Sequence, residues 1–404
     1  MDRVVIIGAG ECGIRAALTF REEGFTGTID LIHGEPHTPY ERPPLSKPCA
    51  DGLSLKPIMG ALDLGPNKIT LHQDLAATAI DRTAQQVLIS NSESLAYDRL
   101  LIAIGAKPRP FLWNGRHVPN LAYLRTYDDA VRIFERVTKS SRLTIIGGGF
   151  IGLELAVQAR SKETHVTLIE AAPRLLGRAV PAEIATVIEA RHRAEGVEVI
   201  CGANIVDVDS KGSITLQDGR TIASDLVVAG IGSVPVTDIA AAADLVIDNG
   251  IAVDGQLRTS DPVIFAAGDC CSFPHPLYDG KRIRIESWRA AQEQGAHAAR
   301  AMLGATDDYQ SVPWFWSDQY ELGLQIAGLS GEASQTVRRD LGDGCFILFH
   351  LADTGRLLAA SGIGLGNSVA RDIRVAEMLI AKRSLPDPAA LGDPALKLRS
   401  LLTA

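Results

Sequence analysis

The sequence contains no Cys-x-x-Cys. Its six cysteines (Cys12, Cys49, Cys201, Cys270, Cys271 and Cys345) are scattered, which leaves no zinc spacing and no dithiol to read. Free thiols in a reducing compartment are the expectation. Long apolar runs are also missing, since "LVVAGIG" and "LLIAIGA" are strand-sized against the roughly 20 residues that cross a bilayer. Positive charge is in deficit: 40 Lys and Arg face 48 Asp and Glu, a net charge of −8. A broad nucleic-acid footprint is thereby excluded. With 46% hydrophobic and 22% charged residues, the composition is that of a folded protein of two or three domains. Met1 leads almost directly into "RVVIIG", so a secretion signal is not expected, and the chain is read as cytoplasmic.

What is present is a duplicated glycine turn. "VVIIGAGECGIRAAL" and "TIIGGGFIGLE" each place three glycines between a β-branched strand and an apolar helix, 139 residues apart. In Gly8-x-Gly10-x-x-Gly13 the first glycine makes the turn, the second lets a pyrophosphate approach, and the third lets helix pack on strand. Glu35 follows Gly13 by 22 residues, near the spacing of a carboxylate that grips ribose hydroxyls. Gly147, Gly149 and Gly152 repeat the pattern, with Glu170 following by 18.

An acid at Glu170 favours NADH over NADPH, because it accepts from a 2′-hydroxyl and repels a 2′-phosphate. Arg174 and Arg178, close by, are either a 2′-phosphate site or a solvated basic turn. Two dinucleotide sites in one chain point to two cofactors that exchange electrons, most economically FAD and a nicotinamide. "RTSDPVIFAAGD" ends a strand in Gly268-Asp269, which could aim a carboxylate at the polyol of a flavin or be an ordinary turn. "YDRLLIAIGA", residues Tyr97 to Ala106, reads as a further buried strand, and "KPRP" after it as a crossing between domains.

The ordered set "GAGECG", "YERPPLSK", "GGGFIGLE", "RTSDPVIFAAGDC", "ESWRAAQEQG" and "VPWFWSDQYELGLQIAG" resembles the FAD-dependent NAD(P)H:ferredoxin reductases of oxygenase systems. The resemblance covers essentially the whole chain, including the tail "LPDPAALGDPALKLRSLL". It implies an α/β protein with two Rossmann-like dinucleotide-binding domains, one for FAD and one for NAD, plus a C-terminal α+β domain. The FAD domain would be residues 1–109 and 234–308, the NAD domain 110–233, and the third domain 309–404. On the same ground Gly8, Gly10, Cys12, Gly13, Glu35, Arg42, Ala77, Gly105, Arg125, Gly268, Asp269 and Trp288 are expected around FAD. Gly147, Gly149, Ile151, Gly152, Glu170, Arg178 and Gly232 are expected around NADH.

Lys47 resembles the lysine at the reactive edge of the flavin, Glu154 the carboxylate paired with it, and Trp316 an aromatic on the path by which electrons leave. Ile104 and His33 depart from the family pattern. The implied acceptor is a small [2Fe-2S] ferredoxin serving a cytochrome P450 or Rieske oxygenase, met through a local basic patch drawn from Lys281, Arg282, Arg284, Arg289, Arg338, Arg339, Lys382 and Arg383. No metal site, membrane segment or nucleic-acid partner is expected, and the chain is read as a monomer or weak dimer. Two alternatives remain open: an NADH oxidase, peroxidase or disulfide reductase using Cys49, and a flavin-bearing signalling protein of the apoptosis-inducing-factor kind.

Overall fold

Runs of Val, Ile and Leu with no charge between them form strands buried on both faces, which is the mark of a parallel sheet covered by helices. The computed structural model describes residues 1–47, 53–177 and 179–403, and the chain divides into two compact units. Met1–Glu41, Leu55–Lys107 and Val234–Trp314 make the first; Arg42–Ser54, Pro108–Ser233 and Phe315–Ala404 make the second.

The first unit is built on a five-stranded parallel sheet in the order Ile264–Ala266, Arg99–Ile102, Arg3–Ile7, Thr28–His33, Ile69–Gln73. Its first loop opens the helix Glu11–Glu22, which packs on the helix Trp288–Met302. The approach is close: a Cβ on Gly295 would lie 2.3 Å from the Cys12 carbonyl oxygen. The strand expected over Tyr97 to Ala106 is shorter, Arg99–Ile102. Its chain turns away at Gly105, whose φ of +70° is the left-handed region.

The second unit contains a parallel sheet in the order Leu121–Ala122, Leu226–Ala229, Arg142–Ile146, His165–Glu170, Glu198–Cys201. It also contains a five-stranded sheet, Trp314–Gln319, Leu322–Gly328, Leu357–Leu365, Cys345–Leu351, Gln335–Gly342. The helix Ala370–Ala381 covers that sheet, whose fourth strand Cys345–Leu351 is buried at every residue. Two dinucleotide-type α/β sheets and a C-terminal α+β element match the fold class expected from the sequence.

Candidate active site

Both glycine loops have one backbone shape. Gly8 has φ +106° and Gly147 φ +107°, and a Cβ on either would lie 2.4 Å from a carbonyl oxygen, that of Ala103 or of Gly230. Only glycine fits there. The third glycines allow the helix to return over the loop: a Cβ on Gly13 would stand 1.8 Å from the Gly8 oxygen, and one on Gly152 2.8 Å from the Gly147 oxygen. The middle glycines are different. Gly10 and Gly149 are the N-caps of Glu11–Glu22 and Phe150–Ser161, and neither supplies a capping side chain. An added Cβ would meet nothing within 4 Å at Gly10 and only the Gly230 oxygen, at 3.9 Å, at Gly149. Each loop therefore combines an uncapped, electropositive helix N-terminus with open space over its middle glycine, which is the shape a pyrophosphate fills.

Of the two acids, Glu170 bonds its own loop. Glu35, two residues beyond Thr28–His33, accepts a hydrogen bond from the Tyr40 hydroxyl. Glu170 ends His165–Glu170, and its carboxylate accepts the backbone N–H of Gly148 at 2.6 Å and of Ala172 at 2.7 Å. Arg174 closes its own turn, donating to the carbonyls of Val180 at 3.0 Å and Gly177 at 2.9 Å. Its guanidinium thus has a structural task. Arg178 and Cys49 lie outside the described residues.

Around the first loop, Cys12 is buried, and a Cβ on Gly268 would meet its Cβ at 3.3 Å. Gly268 donates its N–H to the Gln294 side-chain oxygen at 2.7 Å, with Asp269 next in the same turn. Burial pushes the thiols of Cys12 and Cys271 well up, Cys270 and Asp269 adding to the effect at Cys12; Cys270 is pushed up to about 11, again by burial first. These cysteines are inert packing. Glu11 is also raised, chiefly by burial, with Gln292 bonded to its carboxyl. Trp288 begins the helix Trp288–Met302, capped by Ser287, and Ala77 begins the strand Ala77–Asp81.

In the second unit, Arg42 donates to the Arg125 carbonyl at 2.5 Å, Gly232 has φ +102° with open space beside it, and Ile151 is 49% exposed. The 3₁₀ turn Pro43–Ser46 delivers Ser46 and Lys47 against Glu154, on Phe150–Ser161. The Lys47 ammonium is 3.2 Å from the Glu154 carboxylate, 2.8 Å from that of Asp318, and 5.9 Å from the Trp316 ring centroid. Glu154, only 8% exposed, also accepts the hydroxyls of Ser46 and Ser317, each at 2.6 Å. A buried carboxylate is tolerable only with such a set of donors. The structure brings Lys47, Glu154 and Trp316 together.

Ser46, Ser317 and Asp318 were not among the residues expected from the sequence. Alternation along "WFWSDQ" was the available signal: Ser317 and Gln319 are polar on the buried face of a strand. Among the basic candidates one expectation is corrected. Arg339 is 3% exposed and donates to the carbonyls of Leu391, Asp393 and Leu396, so it cannot steer a partner. Arg282 is half-buried on the carbonyls of Val253 and Ser272, and Arg284 is paired with Glu286. Arg289 is paired with Glu293; Lys281, Lys382 and Arg383 are exposed, as is Arg338, which is paired with Glu183 and Asp340. Among the described residues no group of His, Cys, Asp and Glu could hold a metal, and no helix is long and apolar enough to cross a membrane.

Two dinucleotide cradles and a lysine–carboxylate pair define the class as oxidoreductases that work with pyridine nucleotides. The chain belongs to the pyridine nucleotide-disulphide oxidoreductase family, whose model matches residues 2–295; a reductase C-terminal model matches 314–402. It is 38% identical to the anthranilate 1,2-dioxygenase system ferredoxin–NAD(+) reductase component of Burkholderia cepacia, over 99% of each chain. To putidaredoxin reductase of Pseudomonas putida it is 37% identical, over 100% of this chain and 97% of that one. The crystal structure of the covalent putidaredoxin reductase–putidaredoxin complex is similar, with a TM-score of 0.90 and 34% identity, covering 100% of this chain and 98% of that one.

Proposed function

We propose that the chain is an NADH:ferredoxin reductase, an FAD enzyme that supplies electrons to a [2Fe-2S] ferredoxin serving a cytochrome P450 or Rieske oxygenase. The observation that carries this reading is the pair of uncapped glycine cradles, each with its acid, in one chain. Residues 1–109 and 234–308 would make the FAD domain, 110–233 the NAD domain and 309–404 the C-terminal domain. Bound FAD supplies the acceptor for a hydride and the means of handing its two electrons on singly.

The residues of the chain bind, orient and stabilise. Gly8, Gly10 and Gly13 would open the first helix terminus to the FAD pyrophosphate, with Glu35 for the ribose; Cys12, Ala77, Gly105, Gly268, Asp269 and Trp288 would hold the rest, with Arg42 and Arg125 as further candidates. Gly147, Gly149 and Gly152 do the same for NADH, with Ile151 and Gly232 beside them. Glu170, fixed by two backbone N–H groups, accepts from the ribose and repels a 2′-phosphate. Lys47 would supply the positive charge that stabilises a reduced flavin, and Glu154 holds Lys47. Trp316, beside Lys47, would lie on the side by which electrons leave.

The five described cysteines are free, which suits a reducing cytoplasm. For an acidic ferredoxin, the exposed Lys281, Arg338, Lys382 and Arg383 are the steering candidates. The test is NADH-dependent cytochrome c reduction by the purified protein with and without [2Fe-2S] ferredoxin. Strong dependence on ferredoxin is expected. NADH consumption by oxygen, peroxide or a disulfide with no ferredoxin effect would replace this reading by an oxidase or a thiol enzyme.

A further inference from the structure

A carboxylate only accepts hydrogen bonds, and a serine has one proton to give. Ser317 gives its proton to Glu154, so its oxygen is left to accept, and it does so from the Gln319 side-chain N–H at 2.9 Å. That fixes the amide: the Gln319 carbonyl oxygen faces the Nε2 of His192, 2.9 Å away. His192 is fully buried at the end of the helix Ala182–Ala194, and burial holds it below the usual imidazole range, with Arg191 adding to the effect. A neutral imidazole has one N–H, and the Gln319 oxygen places it on Nε2. Its Nδ1 meets no partner among the described residues.

Donation therefore runs one way, from His192 to Gln319 to Ser317 to Glu154. The surroundings close off alternatives. The Tyr320 ring stands edge-on to His192 at 5.1 Å, and Arg191 covers that ring while pairing with Glu195 and Glu321. At the other end, the charged groups on Glu154 and its lysine are Lys47 and Asp318.

We propose that Ser317, with Gln319 and His192 behind it, is a directional positioning chain that holds Glu154 as an acceptor and so sets Lys47 for hydride transfer. The inference rests on the reductase reading. It gives the direction of donation, not simply a packed core, as the property that matters.

The test uses the FAD-loaded enzyme with ferricyanide as acceptor, which needs no ferredoxin, in steady-state kinetics from pH 5.5 to 9. Ser317→Ala is expected to lower kcat about 10-fold with the KM for NADH little changed, because Glu154 loses a donor and Lys47 its fixed position. Ser317→Cys, a weaker donor of similar size, should fall between Ala and the wild type. Gln319→Glu keeps the serine but replaces the donor amide with an acceptor, drawing the Ser317 proton away from Glu154. It should reproduce Ser317→Ala. An unchanged kcat in Ser317→Ala, or a Gln319→Glu enzyme equal to the wild type, overturns the proposal. Bound-flavin absorbance and the melting temperature report folding, and if Ser317→Ala does not fold, Ser317→Cys and Gln319→Glu carry the test.

Nitrogen-15 NMR of the histidine rings reads the chain independently of activity. The wild type should show His192 as the Nε2–H tautomer and Gln319→Glu an imidazolium. An Nδ1–H tautomer in the wild type overturns the proposal even if the enzyme reduces no ferredoxin.

Discussion

The two glycine loops have nearly the same φ at their first glycine and the same close carbonyl contact, yet their settings are opposite. The residue before the third glycine is Cys12 in one loop, 5% exposed, and Ile151 in the other, 49% exposed. Around the first loop, Gly268, Gln294 and Gly295 close in, and the third glycine has 1.8 Å where its counterpart has 2.8 Å. The second loop is pinned instead by its own acid, Glu170. On the proposed function, a shared backbone would supply the affinity for a dinucleotide, and the surroundings would decide whether it stays. A cradle whose neighbouring side chain is enclosed suits a resident FAD; one whose counterpart is exposed suits NADH that arrives and leaves each turnover.

The largest expected effect comes from filling the third glycines. Gly13→Ala puts a methyl 1.8 Å from a backbone oxygen and should destabilise by about 3 kcal/mol or more, releasing flavin. Gly152→Ala, at 2.8 Å, should cost noticeably less. Thermal melts and flavin content of the two variants make the comparison, and equal losses would break it.

Alkali should act on the buried side. The Cys12, Cys270 and Cys271 thiols have folded values above the ordinary 9.0, so the neutral form is favoured on folding. Their contribution is complete below pH 9 and is lost as pH rises through the folded values. For Cys270, at about 11, the loss is on the order of 3 kcal/mol. Denaturant midpoints from pH 8 to 11 should fall steeply, and Cys270→Ala should flatten the fall.

Thiol chemistry sharpens the contrast at matched positions. Iodoacetamide at pH 8 should leave Cys12 unmodified, while the thiol introduced by Ile151→Cys should react quickly and be protected by NADH; peptide mass mapping reads both. The smallest effect is on stability at that exposed position, where Ile151→Ala should change the melting free energy by less than about 0.5 kcal/mol.

The strands, loops and acids were legible because each depends on neighbours close in the sequence: β-branched runs, glycines at fixed offsets, an acid about 20 residues on. The setting of Glu154 was not. Its hydroxyl donors lie 108 and 163 residues away, and no local pattern joins Ser46 or Ser317 to it. Arg339 was expected in the basic patch, but alternation on Gln335–Gly342 turns Arg338 outward and Arg339 into backbone carbonyls. Strand ends also drifted, since Gly105, in the left-handed region, turns the chain away before the apolar run is finished.

The most direct test of the resident-and-visitor account is the flavin content of Gly10→Val and Gly149→Val after gel filtration. Both middle glycines have ordinary φ values, −73° and −87°, and room for a side chain, so the variants should fold and lose only the space for a pyrophosphate. Gly10→Val should be colourless, and Gly149→Val should retain one FAD per chain while failing to oxidise NADH. Two variants that both keep FAD, or both lose it, would contradict the account.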